Sequence, residues 1–223
     1  MTEAIFLSAS VPDPKRAPDY AATADSVAIT AAVTALVYVT LGRRQLIWGG
    51  HPAITPMIWA VAESMNVEYG QWVRLYQSNW FRDQFPEDNK RFRNVTYTDA
   101  VDLDRDKSLR HMRERMFKEH QFDAAIFIGG MGGVVEEFDL FSKLQPKANV
   151  IPVMSTGGAV LELEKRVQSF PEDLRSDFDY VSLFHRRLHV APQELRYSQP
   201  AKQPPKVTDR MWPGEDKNDP STR

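Results

Sequence analysis

Cysteine is absent from the 223 residues, which excludes disulfides, thiolate-held zinc and thiol nucleophiles together. A surplus of one charge is missing too. The 28 Lys and Arg face 30 Asp and Glu, a net charge of −2, so there is no chain-wide basic footprint for nucleic acid. Long apolar runs are also lacking. The longest weakly polar stretch, 27–41, is broken by Thr30, Thr34 and Thr40 and falls short of the roughly 20 residues that span a bilayer. Residues 1–7 carry no basic segment ahead of their short apolar run, so no secretory leader is expected. With 42% hydrophobic and 26% charged residues the composition is that of an ordinary globular chain. The expectation is a cytoplasmic protein with no membrane partner and no strong nucleic-acid signal, a local basic patch being left open.

What is present is alternation. Apolar, β-branched runs at 4–8, 45–48, 73–76, 95–97, 124–128 and 150–154 read as strands. Helical patterns at about 21–39, 54–65, 103–120, 134–144 and 159–167 lie between and after them. Ala124-Ala125-Ile126-Phe127-Ile128 is apolar at every position, as a strand covered on both faces must be. The alternation predicts a single doubly wound α/β domain over 1–197, Rossmann-like, with a mainly parallel sheet and helices on both faces. From Ser198 the composition shifts: Pro200, Pro204, Pro205, Pro213 and Pro220 fall among Lys, Asp, Asn and Ser. Residues 198–223 therefore read as a disordered tail, in which Met211 and Trp212, its only large apolar groups, are either incidental or a short docking motif for a protein partner.

The sharpest motif is Gly129-Gly130-Met131-Gly132-Gly133, between a buried strand and a helix, where open α/β sheets bind ligands. Four glycines in five positions let backbone approach a ligand closely, and the helix start behind them suits phosphate. The motif is neither a P-loop nor Gly-x-Gly-x-x-Gly. Glu136 and Glu137 follow it in the first turns of the helix. One is expected to face the glycine turn as a general acid/base or cation stabiliser, the other to face solvent. Three more turns share the carboxyl edge: Ser8-Ala9-Ser10, Gly49-Gly50-His51 and Ser155-Thr156-Gly157-Gly158. Arg110 and Arg113, three apart on a charged helix, supply forked donors for phosphate or carboxylate, and Arg115 reads as a solvated partner of Glu114. His185 and His189 stand four apart on a stretch that fits helix or strand. With no third ligand in view, no metal site is expected. No Gly-x-Ser-x-Gly elbow supports a serine triad.

Together these residues resemble the SLOG superfamily of Rossmann-like proteins, whose best-known enzymes are the LOG phosphoribohydrolases. Gly129-Gly130-Met131-Gly132-Gly133-Val134-Val135-Glu136 is similar to the family's Pro-Gly-Gly-x-Gly-Thr-x-x-Glu, and Met112-Arg113-Glu114-Arg115-Met116 to its arginine-bearing helix. Ser8-Ala9-Ser10 and Gly49-Gly50 resemble the other phosphate-side turns, and the likeness runs over residues 2–188. The N-terminal strand, the Gly49-Gly50-His51-Pro52-Ala53 turn and the glycine motif look closest to a prokaryotic subgroup linked to defence and nucleotide signalling. The departures are Ile128 for the proline, Gly133 for the threonine and a broken Arg-Lys pair.

The resemblance implies a nucleotide or NAD-derived ligand, no further cofactor, and a homo-oligomer. Its enzymes cleave an N-glycosidic bond, with Glu136 and Arg113 (or Arg110) as the catalytic pair. The remaining binding positions it implies are Ser8, Ser10, Gly49, Gly50, His51, Gly129 to Gly133, Thr156, Gly157 and Gly158. Other members sense a signal nucleotide without consuming it, and the changes at Ile128 and Gly133 suit that alternative. The enzyme reading leans on the expected absence of a second domain for a sensor to control.

Overall fold

The computed structural model describes residues 4–212 apart from 66, 86, 168 and 169. In chain order the elements are β1 (Ala4–Ser10), α1 (Pro18–Thr23), α2 (Ser26–Thr40), β2 (Gln45–Trp48), α3 (Thr55–Ser64) and α4 (Tyr69–Trp72). Next come β3 (Val73–Ser78), β4 (Val95–Thr98), α5 (Arg105–Glu119), β5 (Phe122–Gly129), α6 (Gly132–Leu144), β6 (Asn149–Val153), α7 (Asp173–Ser176) and α8 (Tyr180–Arg187). The six strands form one sheet in the order β4-β3-β2-β1-β5-β6, and every pairing is parallel. This is the doubly wound, Rossmann-like α/β architecture that the alternation predicts.

The period of two along β1 divides the core. Ile5 and Leu7 join a cluster with Ile29, Val33 and Leu36 of α2, Ile58 of α3 and Leu183 of α8. Ala4 and Phe6 face the other way, onto Met116 and Phe117 of α5 and Phe138 and Phe141 of α6. Phe6 is fully buried there, stacked on Phe141 and edge-on to Phe117. Aspartates start the two longest helices: Asp25 accepts from the Val27 and Ala28 N–H groups, and Asp104 from those of Asp106 and Lys107. The backbone donors hold the Asp104 carboxyl below its usual range. Among the described residues no helix is long and apolar enough to cross a membrane.

Three expectations are corrected. The helix read over 21–39 is two, because Ala24 is extended and Asp25 caps the second. The helix read over 159–167 is a 3-10 turn, Gly158–Lys165, pinned at its start where the Ala159 N–H bonds the Gly130 carbonyl. The tail does not begin at 198 as free chain. Met211 bridges Glu194 in antiparallel fashion, the Trp212 N–H bonds the Gln193 carbonyl, and Arg210 is buried. The reason is electrostatic rather than apolar. Glu194 is 0% exposed and takes Arg44 at 2.6 Å and Arg210 at 3.5 Å, while Arg43 donates to the Glu194, Val39 and Pro192 carbonyls. Burial lowers the Arg43 pKa to about 10. The prolines that suggested disorder supply acceptors: Arg210 donates to the Pro204 and Pro205 carbonyls. Trp212, the last described residue, is 64% exposed, and the rest of the expected tail, 213–223, lies outside the described residues.

Candidate functional site

An all-parallel sheet puts every strand's carboxyl end on one edge. The chain steps from β1 to β2 on one side and returns at β5 on the other, so β1 lies at the switch point where such sheets open a crevice. A cavity of about 650 Å³ occupies that place, within the usual size of a small-ligand site. Ser8, Ser10, Gly49, Gly50 and His51 line it from the strand ends. Met131, Gly132, Gly133 and Glu136 close it from the start of α6, and Arg113 enters from α5.

The floor is built around one arginine. Arg113, with a side chain 8% exposed, donates Nε to Glu137 Oε1 at 3.0 Å, Nη1 to Glu136 Oε2 at 2.7 Å and Nη2 to the Gly133 carbonyl at 3.3 Å. Glu137 is itself held at its other oxygen by the Ser8 hydroxyl at 2.5 Å. Burial alone would lower the arginine's pKa, but the two carboxylates outweigh it and the pKa lies above the ordinary value. Glu137 is the inward glutamate, 16% exposed, and Glu136 the outward one, 68% exposed.

The glycine turn is braced from behind. Gly129 (φ +60°) and Gly130 (φ +90°) adopt backbone that L side chains avoid, and a Cβ on either would strike Ile29 or Val134. The Gly130 N–H bonds the Ser10 carbonyl at 2.8 Å, and the Gly129 N–H bonds Thr156 Oγ1 at 2.9 Å. The turn thus presents Met131, Gly132 and Gly133 to the cavity at the positive end of α6, whose first N–H groups have no partner within the helix.

A family model, that of the SLOG cluster3 family, matches residues 19–188. The chain belongs to the SLOG cluster3 family. No curated protein matches it.

Within this SLOG protein the expected residues divide into two groups. Those at the cavity wall are named above. Gly129, Gly130, Thr156, Gly157 and Gly158 stand behind it. Thr156 is fully buried, bonding the Gly129 N–H and the Val153 carbonyl. Gly157 (φ +64°) packs on the Thr23 carbonyl, and Gly158 on Gly130. These positions shape the turn rather than line the cavity. Arg110 is drawn outward to Glu114, 3.0 Å away, with 69% of its side chain exposed. Arg113, not Arg110, is therefore the arginine of the site. Arg115 pairs with Glu119, not with Glu114.

His51 Nδ1 accepts the Ala53 N–H at 3.2 Å, so the neutral ring carries its proton on Nε2. Burial, aided by the Arg16 cation, holds its pKa below the usual value. His185 closes a turn onto the Val190 carbonyl at 2.6 Å at the end of α8, and His189 lies beyond the helix with φ +53°. Among the described residues no cluster of three or more His, Asp or Glu is arranged for a metal.

Sequence reasoning missed Arg16, Gln77, Phe81 and Phe85, all of which line the cavity. Arg16 makes no ion pair with a carboxylate among the described residues, unlike Arg113. A signal existed for two of them. Lys15-Arg16 is a basic pair in the loop after β1, and Gln77-Ser78 is a polar pair at the carboxyl end of a strand.

Proposed function

We propose that the protein binds a nucleoside phosphate or NAD-derived nucleotide at the carboxyl edge of its sheet and hydrolyses the N-glycosidic bond. The observation that carries this is the single arginine clamping two carboxylates beside the open start of α6. In this reading the phosphate rests on the α6 N-terminus, the end of β1 at Ser10 and Arg16, since these supply donors and uncommitted positive charge. Glu137, fixed by Ser8 and Arg113, positions the arginine. Glu136, tied at one contact and largely exposed, is the catalytic carboxylate. As the C1′–N bond breaks, the base leaves with the electron pair and Glu136 stabilises the ribosyl cation. Water then adds to C1′, and its proton is passed to the base.

The test is incubation with nucleoside monophosphates, NAD and ADP-ribose, followed by mass spectrometry. Free base and ribose phosphate in equal amounts, lost in Glu136→Gln, support the hydrolase. Turnover by Glu136→Gln at the wild-type rate removes Glu136 from the mechanism.

A second reading, a nucleotide sensor in prokaryotic defence or signalling, is favoured by one observation. Glu136 and Glu137 are both bonded to Arg113, so the carboxylate that hydrolysis would need is committed to an ion pair. Ligand recovered intact after long incubation, together with a thermal shift, selects it.

A further inference from the structure

We propose that Gln77 is the residue that reads the nucleobase, through an edge on which a hydrogen-bond donor and acceptor stand side by side. The proposal rests on the nucleotide reading above and assigns a role to a side chain outside the glycine turns. Gln77 is the last residue but one of β3 and lines the cavity, yet it is only 7% exposed. Its carboxamide makes no hydrogen bond among the described residues. Its neighbour Ser78, 1% exposed, is satisfied by accepting the Trp80 N–H. The residue is nearly buried while its polar atoms open on the cavity, so a ligand there is what would complete them.

The surroundings fit a flat group. In the parallel register Leu75 pairs with Trp48, the last residue of β2, so Gln77 extends past the end of that strand. Its amide stands against the Gly49-Gly50 turn so closely that a Cβ on Gly50 would lie 1.8 Å from Gln77 Nε2. Phe81, with the Arg105 guanidinium over its ring, and Phe85, tilted against Tyr97, also line the cavity and make an aromatic wall against which a base can pack. The anion-binding features lie at the other end, on β1, β5 and α6. β3 stands two strands from β1 and three from β5, or about 10 to 14 Å at the usual strand spacing. A ligand held by phosphate at one end and by an amide-matched ring at the other is a nucleotide lying across the strand ends. A carboxamide pairs with a base edge through one donor and one acceptor at once, which inorganic phosphate and a bare sugar phosphate do not offer.

The experiment compares AMP, CMP, UMP and IMP with ribose 5-phosphate by isothermal titration, in the wild-type chain and in Gln77→Met, which keeps the side chain's size. Gln77→Glu, which keeps the acceptor and removes the donors, is the second variant. The expected result is that Gln77→Met weakens the best-bound nucleotide about 10- to 100-fold and leaves ribose 5-phosphate within about twofold. Gln77→Glu is expected to weaken the same nucleotide and to change the order among the four bases. If nucleotide and ribose 5-phosphate weaken together, Gln77 only supports the fold and the proposal is overturned. It is also overturned if the nucleotide affinity is unchanged in both variants. Wild-type protein that binds neither the nucleotides nor ribose 5-phosphate overturns the nucleotide reading itself, and this proposal with it.

Discussion

Gly132 and Gly157 separate what the glycines do for the ligand from what they do for the fold. Gly132 lines the cavity, and a Cβ there meets nothing within 4 Å. As the first residue of α6 it gains helix propensity on becoming alanine, between zero and about 1 kcal/mol. Gly157 is the reverse case: outside the cavity, at φ +64°, with a Cβ placed 1.9 Å from the Thr23 carbonyl oxygen. Backbone strain of about 1–3 kcal/mol and a similar overpacking cost are expected from Gly157→Ala.

Binding should respond in the opposite order. A charge-assisted hydrogen bond from the turn to a phosphate is worth about 1.5–3 kcal/mol, so Gly132→Leu, which blocks the approach, weakens binding about 10- to 100-fold per bond lost. At a ligand concentration 100 times Kd the stabilisation is about 2.7 kcal/mol, and a 30-fold weaker variant retains about 0.9 kcal/mol. For a chain of this size that is a thermal shift falling from about 5–11 °C to about 2–4 °C. Differential scanning fluorimetry with ribose 5-phosphate and the best-bound nucleotide reads both quantities from the same samples. A full wild-type ligand shift in Gly132→Leu would refute the placement of the ligand, and an unstrained Gly157→Ala would refute the bracing role of the turn after β6.

Further outcomes follow from other parts of the molecule. Arg16→Ala should weaken nucleotide binding with little loss of stability, because the side chain is exposed at the cavity and has no carboxylate partner among the described residues; titration at two salt concentrations should show a shallower salt dependence. Glu194→Gln leaves the buried Arg44 and Arg210 guanidiniums facing a neutral amide, at a cost of about 3–5 kcal/mol or a melting point lower by about 6–20 °C. If the variant melts with wild type, that cluster is not what holds the C-terminal strap. His51 and His120 are both kept below the usual 6.5, by burial first and then by Arg16 and Arg74 respectively. The unfolded chain takes up these protons below 6.5 and the folded chain only at lower pH, so stability falls as pH drops from 6.5 through the lowered folded values. The urea midpoint between pH 7.5 and 5 checks this, and His51→Asn should flatten the decline.

The sheet was legible because its strands are buried on both faces and punctuated at their carboxyl ends. Ile126, Phe127 and Ile128 need no partner to be read as a strand, and Gly129 and Gly130 mark where it stops. The C-terminal strap was not legible for the opposite reason. Residues 193–212 are held by a buried glutamate meeting arginines, of which Arg44 lies 150 positions away, and by distant single contacts such as Trp72 Nε1 to the Tyr197 carbonyl, and such pairings leave no local signature. Compositional rules weigh apolar mass, and here a charge cluster with proline carbonyls does the anchoring. The 3-10 turn at Gly158–Lys165 was misread similarly, since a helical pattern cannot report that its first N–H is taken by Gly130.

The site shows where pattern ends and geometry begins. Adjacent helical residues point about 100° apart, so one of Glu136 and Glu137 had to face inward, but only the packing of α6 against β1 and α5 selects Glu137 for Ser8 and Arg113. The consequence reaches the ligand. Two carboxylates and one arginine leave the floor with a net charge of −1, and three acceptors already occupy that arginine. A phosphate placed there would meet repulsion. Positive potential lies instead at the start of α6 and at Arg16, while unfilled hydrogen-bonding capacity lies at Gln77. In the proposed nucleotide reading, an anion drawn to the first and a base drawn to the second would leave the sugar between them in the cavity that Glu136 lines. In that reading this asymmetry sets the direction of the ligand, because reversing it would take the phosphate away from the α6 terminus and Arg16 and bring the base to them.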